Sequence, residues 1–248
     1  MLPLRLPHAA AVALSAALAL TPFSSAALAL CTVPALTEAT PGGALPRTSA
    51  RLRTQEPVRI LAIGSSTTAG VGAGGAGFAH RLGPMIKARW PDKVIEVVVS
   101  GVSGETASGA AGRLAREITQ HRPTLVVWQL GTNDANFGVS AESFRATVGA
   151  GLATIRAAGA DAMLVDPQYS RWAEGGTRTA EFAGIIASEG ARAGVPVVRR
   201  YQTMVQLANS DRTTFNGLIS FDGLHLTAAG HDCMARQVAG TILRTARR

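Results

Sequence analysis

The stretch 58-VRILAIGSSTTAG-70 joins an apolar, β-branched run to a glycine and two adjacent serines, Ser65 and Ser66. Residues 58–63 are hydrophobic almost without interruption, which is typical of a strand covered on both faces, as in a parallel sheet. Because open α/β sheets bind ligands beyond the carboxyl ends of their strands, we expect the serines to lie where chemistry occurs. The stretch itself leaves open whether it is a plain turn or carries a reactive serine.

The same pattern continues along the chain. Four further apolar runs of strand length follow, separated by helix-like segments, and this alternation predicts a three-layer α/β/α sandwich around a five-stranded parallel sheet. With 248 residues and 47% apolar residues, the chain is long enough for one large domain with a substantial core. The predicted strands are 58–63, 94–99, 124–130, 161–166 and 195–199, and the predicted helices are 78–90, 108–120, 141–158, 178–193 and 227–245, the last with Thr227 as N-cap.

The start of the chain has the features of a targeting segment. Residues 1–29 combine an early arginine, an apolar middle and a small-residue end, which predicts a secretory signal peptide cleaved after Ala29. An uncleaved anchor is disfavoured because the apolar run is short and Pro22 interrupts it. We therefore expect a secreted or periplasmic protein without stable membrane insertion. Residues 30–56 predict a linker or loosely packed extension before a domain at 57–248.

Charge and cysteine content narrow the classes of partner. The net charge is +8, but the arginines are spread singly or in pairs without a basic stripe of interleaved aromatics, so nucleic-acid binding is not expected. Cys31 and Cys233 are the two cysteines; in an exported protein they predict a disulfide, with two unrelated thiols as the alternative. No Cys/His cluster has zinc spacing.

Four short polar segments stand at 64–70, 100–109, 131–134 and 222–225. The first three follow the first three strands, so they open onto the same edge of the sheet. Asp222 and His225 are three residues apart in a turn, close enough for the carboxylate to orient an imidazole that takes a proton from a serine. A glycine-rich turn at Gly104 and the amide of Asn133 supply the donor types that an oxyanion needs.

In this order the four segments resemble the conserved blocks of the SGNH/GDSL hydrolase family over residues 58–245. The resemblance implies a flavodoxin-like fold with strand order 2-1-3-4-5 and a serine esterase that forms an acyl-enzyme intermediate without metal or cofactor. The residues that match the family's blocks are the nucleophile Ser66, the base His225, its partner Asp222, and an oxyanion hole made by Ser66, Gly104 and Asn133.

The sequence departs from the family pattern at Ser65, where aspartate is usual, and at Ser100, where asparagine is frequent. Residues 72–77 also fit a dinucleotide-binding glycine pattern, with Glu96 placed as a ribose-binding acid. A serine-bearing loop separates them from the first strand, however, so we interpret them as a wall of the cleft.

Several other polar residues are predicted to be structural. We expect Asp134 to stabilise its loop by hydrogen bonds rather than to act as a second acid. For His231 a packing or surface role is favoured over that of a base, and His80 and His121 are interpreted as surface or helix-end residues.

The substrate is the least constrained prediction. Loops 136–140 and 166–176 are expected to border the cleft, with Gln168, Tyr169 and Trp172 as contacts for a sugar or an acyl chain. Without a long apolar insertion to form a lid, a short acyl ester, such as an acetylated carbohydrate, is favoured over a long-chain lipid. Lysophospholipid and thioester substrates stay open, as does a non-catalytic carbohydrate-binding module on the same fold. The position of the glycine loop argues against an NAD-binding protein.

Overall fold

The central sheet has five strands, all parallel. The computed structural model describes residues 43–173 and 176–246. Its strands are paired in the order β2-β1-β3-β4-β5, so the predicted α/β/α fold and strand order are confirmed. They span β1 Val58–Gly64, β2 Ile95–Gly101, β3 Leu125–Gln129, β4 Asp161–Val165 and β5 Val197–Val198.

Helices cover both faces of the sheet. The five predicted helices are present within one residue at each end, and Thr227 caps the last by accepting a hydrogen bond from Gly230 N at 3.2 Å. A 3₁₀ turn spans Arg171–Ala173. The helices are α1 Pro46–Leu52, α2 Ser66–Ala69, α3 Phe78–Arg89, α4 Ala107–His121, α5 Thr132–Asn136, α6 Ala141–Ala157, α7 Arg178–Ala193, α8 Arg200–Ser210, α9 Arg212–Leu218 and α10 Ala228–Thr245.

Successive side chains of β1 enter two separate apolar layers. Ile60 and Ala62 belong to the layer that includes α3 and α10, whereas Leu61 and Ile63 belong to the layer that includes α4, α6 and α7. All four side chains are buried. Burial on both faces explains why apolar and polar residues do not alternate along β1. Because helices cover both faces of the sheet, the site lies at the carboxyl ends of the strands.

The segment before β1 corrects one prediction. A loose extension up to residue 56 is wrong for Pro46–Leu52, which forms α1 and buries Leu52. The buried carboxylate of Asp161 accepts hydrogen bonds from Thr48 N at 2.7 Å and Thr48 Oγ1 at 2.8 Å, which ties α1 to the start of β4. A helix of two turns is too short to show a clear apolar period, so its docking was not visible in the sequence.

Some predictions fall on parts of the chain that are not described. The signal peptide and Cys31 lie outside the described residues. Cys233 in α10 is buried and disulfide-bonded, and its pairing with Cys31 stays a prediction. Within residues 43–173 and 176–246, none of the helices combines the length and the apolar character needed to cross a bilayer.

Candidate active site

Ser66, His225 and Asp222 come together at the carboxyl end of the sheet. The Oγ of Ser66 lies 3.0 Å from Nε2 of His225, and Nδ1 of the same ring lies 2.6 Å from Oδ2 of Asp222. Because a carboxylate only accepts, Nδ1 carries the proton and Nε2 is left to accept the serine hydroxyl. This is the arrangement in which an imidazole can deprotonate a serine.

The turn after β1 presents the two serines differently. A Cβ at Gly64 would lie 2.4 Å from the carbonyl oxygen of Gln129, so only glycine fits where the strand ends. Ser66 is the first residue of α2 and is partly exposed, whereas Ser65 is buried. The hydroxyl that faces His225 is therefore the accessible one.

Ser65 anchors this turn to β3. Its N and Oγ donate to Oε1 of Gln129 at 3.2 Å and 3.1 Å, and Thr68 Oγ1 donates to the same oxygen at 3.1 Å. Thus the residue at the family's usual aspartate position makes local hydrogen bonds and does not compete with Ser66 for the imidazole.

The loop that carries Asp222 is held by hydrogen bonds to its own carboxylate. Oδ1 accepts from Ser220 Oγ at 2.7 Å and from the backbone N of Leu224 and His225, both at 2.9 Å. Burial raises the pKa of Asp222, but the hydrogen bonds from His225, Leu224 and Ser220 outweigh it and hold that pKa well below its usual range. The carboxylate stays ionised and can stabilise a charged imidazolium. Ser220 was not predicted; a hydroxyl two residues before the aspartate was its signal in the sequence.

Donors for an oxyanion are present in the first three segments. Among the described residues, the backbone N–H groups of Ser66 and Gly104 have no acceptor. Val102 N donates to Gly64 O at 2.9 Å, which sets the second segment beside the first. Asn133 Nδ2 donates to Glu105 O at 2.8 Å, and its second hydrogen is left for a ligand.

The predictions for Asp134 and His231 are confirmed. Asp134 accepts from Ala107 N at 2.9 Å and Gly131 N at 3.2 Å, and burial raises its pKa against these bonds. His231 is fully buried: Nδ1 accepts from Phe78 N at 3.2 Å and Nε2 donates to Val71 O at 2.9 Å. Burial lowers the pKa of His231, so the ring is a neutral packing residue.

The other polar residues set aside in the sequence have ordinary roles. His80 is exposed and His121 ends α4, as predicted. Glu96 pairs with Arg59 at 2.8 Å on the surface. A Cβ at Gly72 would lie 2.1 Å from Leu226 O, so the glycine loop lies directly beside His225 and forms one wall of the site.

Of the three predicted substrate contacts, Gln168 is wrong. Gln168 is only 1% exposed, and its amide forms hydrogen bonds with Thr67, Leu224 and Arg200 inside the protein. Tyr169 is partly buried, and its ring packs on Tyr201 and Phe215 at centroid distances of 5.8 Å and 5.6 Å, so its contact with a substrate stays a prediction. The polar and aromatic character of the 166–176 loop did not reveal which side chains face inward.

The contact of Trp172 with a substrate also stays a prediction. Its indole Nε1 donates to Asp222 O at 3.1 Å, while the side chain as a whole is 62% exposed. The hydrogen bond fixes one edge of the indole ring to the loop that carries Asp222, and the other atoms of the ring are open to solvent.

Exposed apolar side chains gather around the site. Of the six large hydrophobic side chains that are exposed within the described residues, five belong to the segments at the carboxyl edge of the sheet and Val94 precedes β2. We call these five the apolar rim; they are Val71, Val102, Phe137, Trp172 and Phe221. No group of three or more His, Cys, Asp or Glu side chains in the described ranges is arranged to hold a metal ion.

A model of the non-GDSL lipase-like family matches residues 30–248. The chain belongs to this family. It is therefore a hydrolase of carboxylic esters within the broader SGNH/GDSL class. The name agrees with Ser65, which replaces the aspartate of a GDSL block.

Solved structures share the fold of this non-GDSL lipase-like chain. TesA is 22% identical, with 75% of this chain and 99% of TesA covered and a TM-score of 0.63. A variant of an acetyl-xylooligosaccharide esterase from Geobacillus stearmophilus is 19% identical over 76% and 96% of the two chains, with a TM-score of 0.65. A two-domain esterase active on acetylated mannans is 19% identical over 84% of this chain and 55% of its own, with a TM-score of 0.67. No curated protein matches the chain.

Proposed function

We propose that this protein is an exported serine esterase that hydrolyses short-chain acyl esters, in particular O-acetyl esters of carbohydrates. The observation that carries the proposal is the continuous chain of contacts from Ser66 Oγ through His225 to Asp222, at 3.0 Å and 2.6 Å. A serine activated in this way forms an acyl-enzyme intermediate.

In the proposed mechanism, Ser66 Oγ attacks the ester carbonyl while Nε2 of His225 takes its proton and then gives it to the leaving alcohol. Asp222 holds the ring and stabilises the imidazolium. The backbone N–H groups of Ser66 and Gly104 and the amide of Asn133 hold the negative charge on the carbonyl oxygen. A water molecule, deprotonated by the same imidazole, then attacks the acyl carbon. The bond from this carbon to Ser66 Oγ breaks, the imidazolium returns the proton to Oγ, and the acid is released.

The carbohydrate part of the proposal is supported by the aromatic members of the apolar rim. Trp172, Phe137 and Phe221 present exposed rings beside the catalytic segments, and flat apolar rings suit the apolar faces of sugars. Two proteins of the same fold are described as acting on acetyl-xylooligosaccharides and acetylated mannans. For this chain such substrates are proposals.

A second candidate is hydrolysis of longer acyl esters, as in a lysophospholipase or thioesterase. The aliphatic members of the rim, Val71 and Val102, favour it because they offer apolar surface without a flat ring for a sugar. A non-catalytic binding module is the third alternative, and it would leave Ser66 unreactive.

Hydrolysis of aryl esters from acetate to palmitate, together with acetate release from acetylated xylan and mannan, decides between them. We expect the highest kcat/KM at acetate or butyrate, acetate release from the polysaccharide, and neither activity in Ser66→Ala. A maximum at palmitate without polysaccharide activity would favour the second candidate, and a wild type inert on every ester would favour the third.

The proposal of export rests on residues 1–29, which precede the part of the chain matched by the family model. N-terminal sequencing of the protein from its native host is the test. We expect a start near Leu30 and recovery outside the cytoplasm; cytosolic protein that retains Met1 would rule export out.

A further inference from the structure

The buried side chain of Gln168 joins the two elements that carry Ser66 and His225. Its Oε1 accepts a hydrogen bond from Thr67 Oγ1 at 3.2 Å, and Thr67 follows Ser66 in α2. Its Nε2 donates to the carbonyl oxygen of Leu224, which precedes His225. One amide thus bridges the turn of the serine and the loop of the histidine.

The orientation of this amide is fixed by its partners. Arg200 Nη1 donates to Oε1 at 3.1 Å, and a guanidinium can only donate. The carbonyl oxygen of Leu224 can only accept, so it must face Nε2. A flipped Gln168 would lose both bonds, and the bridge therefore has one arrangement.

Arg200 in turn holds Gln168 from the far side. It is the first residue of α8, it is fully buried, and its Nε donates to Asp166 O at 2.6 Å. Asp166 directly follows β4 and stands two residues before Gln168. Arg200 therefore bonds to both ends of the segment from Asp166 to Gln168. Such a partner restricts the rotamer of Gln168 without touching the reacting atoms.

We propose that Gln168 is a positioning residue that keeps Ser66 Oγ and His225 Nε2 at hydrogen-bond distance through its bridge from Thr67 to Leu224. The inference rests on the proposed roles of Ser66 and His225. A bridge of this kind acts on the alignment of nucleophile and base, so it contributes to the chemical step and not to the capture of substrate.

Two substitutions of Gln168 separate this role from that of a hydrogen-bond acceptor for the buried Arg200. Gln168→Glu keeps acceptors for Arg200 and Thr67 but replaces the donor to Leu224 O by a second acceptor, which repels the carbonyl. Gln168→Leu removes all three hydrogen bonds. Gln237→Leu is the matched control, because Gln237 is a buried glutamine that lines the same cavity as Arg200 without bonding to either catalytic loop.

The readouts are kcat and KM on a soluble aryl ester and the second-order rate of labelling by a fluorophosphonate, with the melting temperature as a check of folding. We expect both Gln168 variants to lose about 10²-fold in kcat and in labelling rate with KM nearly unchanged, and Gln237→Leu to behave as the wild type. If Gln168→Leu fails to fold because Arg200 Nη1 loses the oxygen of Gln168, Gln168→Glu still decides.

Wild-type kcat and labelling in folded Gln168→Glu would overturn the proposal, since the side chain would then serve only Arg200. A change confined to KM, or an equal loss in Gln237→Leu, would overturn it as well. Ser66→Ala keeps the two claims apart: if it retains labelling and activity, the proposed function fails, whereas an inert Ser66→Ala beside a fully active Gln168→Glu removes the bridge alone.

Discussion

Ser66 Oγ and His225 Nε2 lie 3.0 Å apart although 159 positions separate them in the sequence. Further hydrogen bonds fix the position of each partner. Ser65, which precedes Ser66, donates to Gln129, and the ring of His225 donates to the carboxylate of Asp222. The approach of the two is therefore a property of the folded sheet edge, and substitutions that leave the fold intact can test each part of it.

Asp222→Asn tests the carboxylate that orients the imidazole. The amide cannot hold the Nδ1–H tautomer or stabilise the imidazolium, so we expect kcat to fall by about 10³–10⁴-fold. Ser220→Ala is the milder comparison, because it removes one of the hydrogen bonds to Oδ1 and leaves the carboxylate on Nδ1. Steady-state kinetics with folding checked by circular dichroism is the measurement; an Asp222→Asn protein as active as Ser220→Ala would contradict the assignment.

The pH dependence of kcat/KM tests which group loses the proton. The hydrogen bonds of Asp222 outweigh burial and keep its pKa low, so it is ionised throughout neutral and mildly acidic pH. Because Asp222 stays ionised, acidification adds a single proton to the catalytic machinery, and log kcat/KM should fall with a slope of about one per pH unit. A slope near two on the acid side, or a rate independent of pH between about 5 and 8, would argue against a single imidazole base.

His231 predicts a separate effect of pH on stability. Burial lowers the pKa of His231 in the folded protein, so the unfolded chain takes up this proton first as the pH falls below about 6.5. The free energy of unfolding should then decrease with falling pH, by at most about 1.4 kcal/mol per pH unit from this group.

His231→Gln lacks this titration and should lose less stability than the wild type between pH 7 and 5. Urea denaturation at the two pH values gives the comparison, in which the contributions of all other groups cancel. Equal losses in the two proteins would show that the buried ring does not titrate in this way.

Thr48→Val tests whether α1 is part of the domain. The substitution removes the buried 2.8 Å bond from Oγ1 to Asp161 and should lower the free energy of unfolding by about 1–2 kcal/mol. Thr54→Val is the control, because the exposed hydroxyl of Thr54 bonds only within its own turn, donating to Arg51 O and accepting from Glu56 N, and its loss should cost under about 0.5 kcal/mol. Equal stability of the two variants would mean that α1 is loosely attached.

The fold and the core of the site were predictable because their signals are local. Five buried strands leave uninterrupted apolar runs, and Thr227 marks the start of α10. Ser66, His225 and Asp222 were assigned through the resemblance of four short segments to the blocks of the SGNH/GDSL family. The docking of α1 was not predictable, since it depends on a contact between Thr48 and Asp161 that lie far apart in sequence.

The orientation of the side chains of residues 166–172 was equally hidden. Gln168 and Trp172 lie four residues apart in the same loop, yet Gln168 is buried and accepts a hydrogen bond from Arg200, whereas Trp172 is exposed. The helix α8 that brings Arg200 inward has no strong periodic signal. The neighbouring α9, by contrast, has a capping signal that could have been used, since Asp211 accepts from Thr214 N at 3.0 Å.

Every proposed step at this site requires Ser66 as the nucleophile, and intact-mass measurement after fluorophosphonate treatment tests this role most directly. Ser65 Oγ is one of three donors to Gln129, so Ser65→Ala should keep the label and lose at most about tenfold in kcat. Ser66→Ala should lose about 10⁴-fold or more. We expect a single adduct on the wild type and on Ser65→Ala and none on folded Ser66→Ala; an adduct that survives Ser66→Ala and disappears in Ser65→Ala would contradict the account.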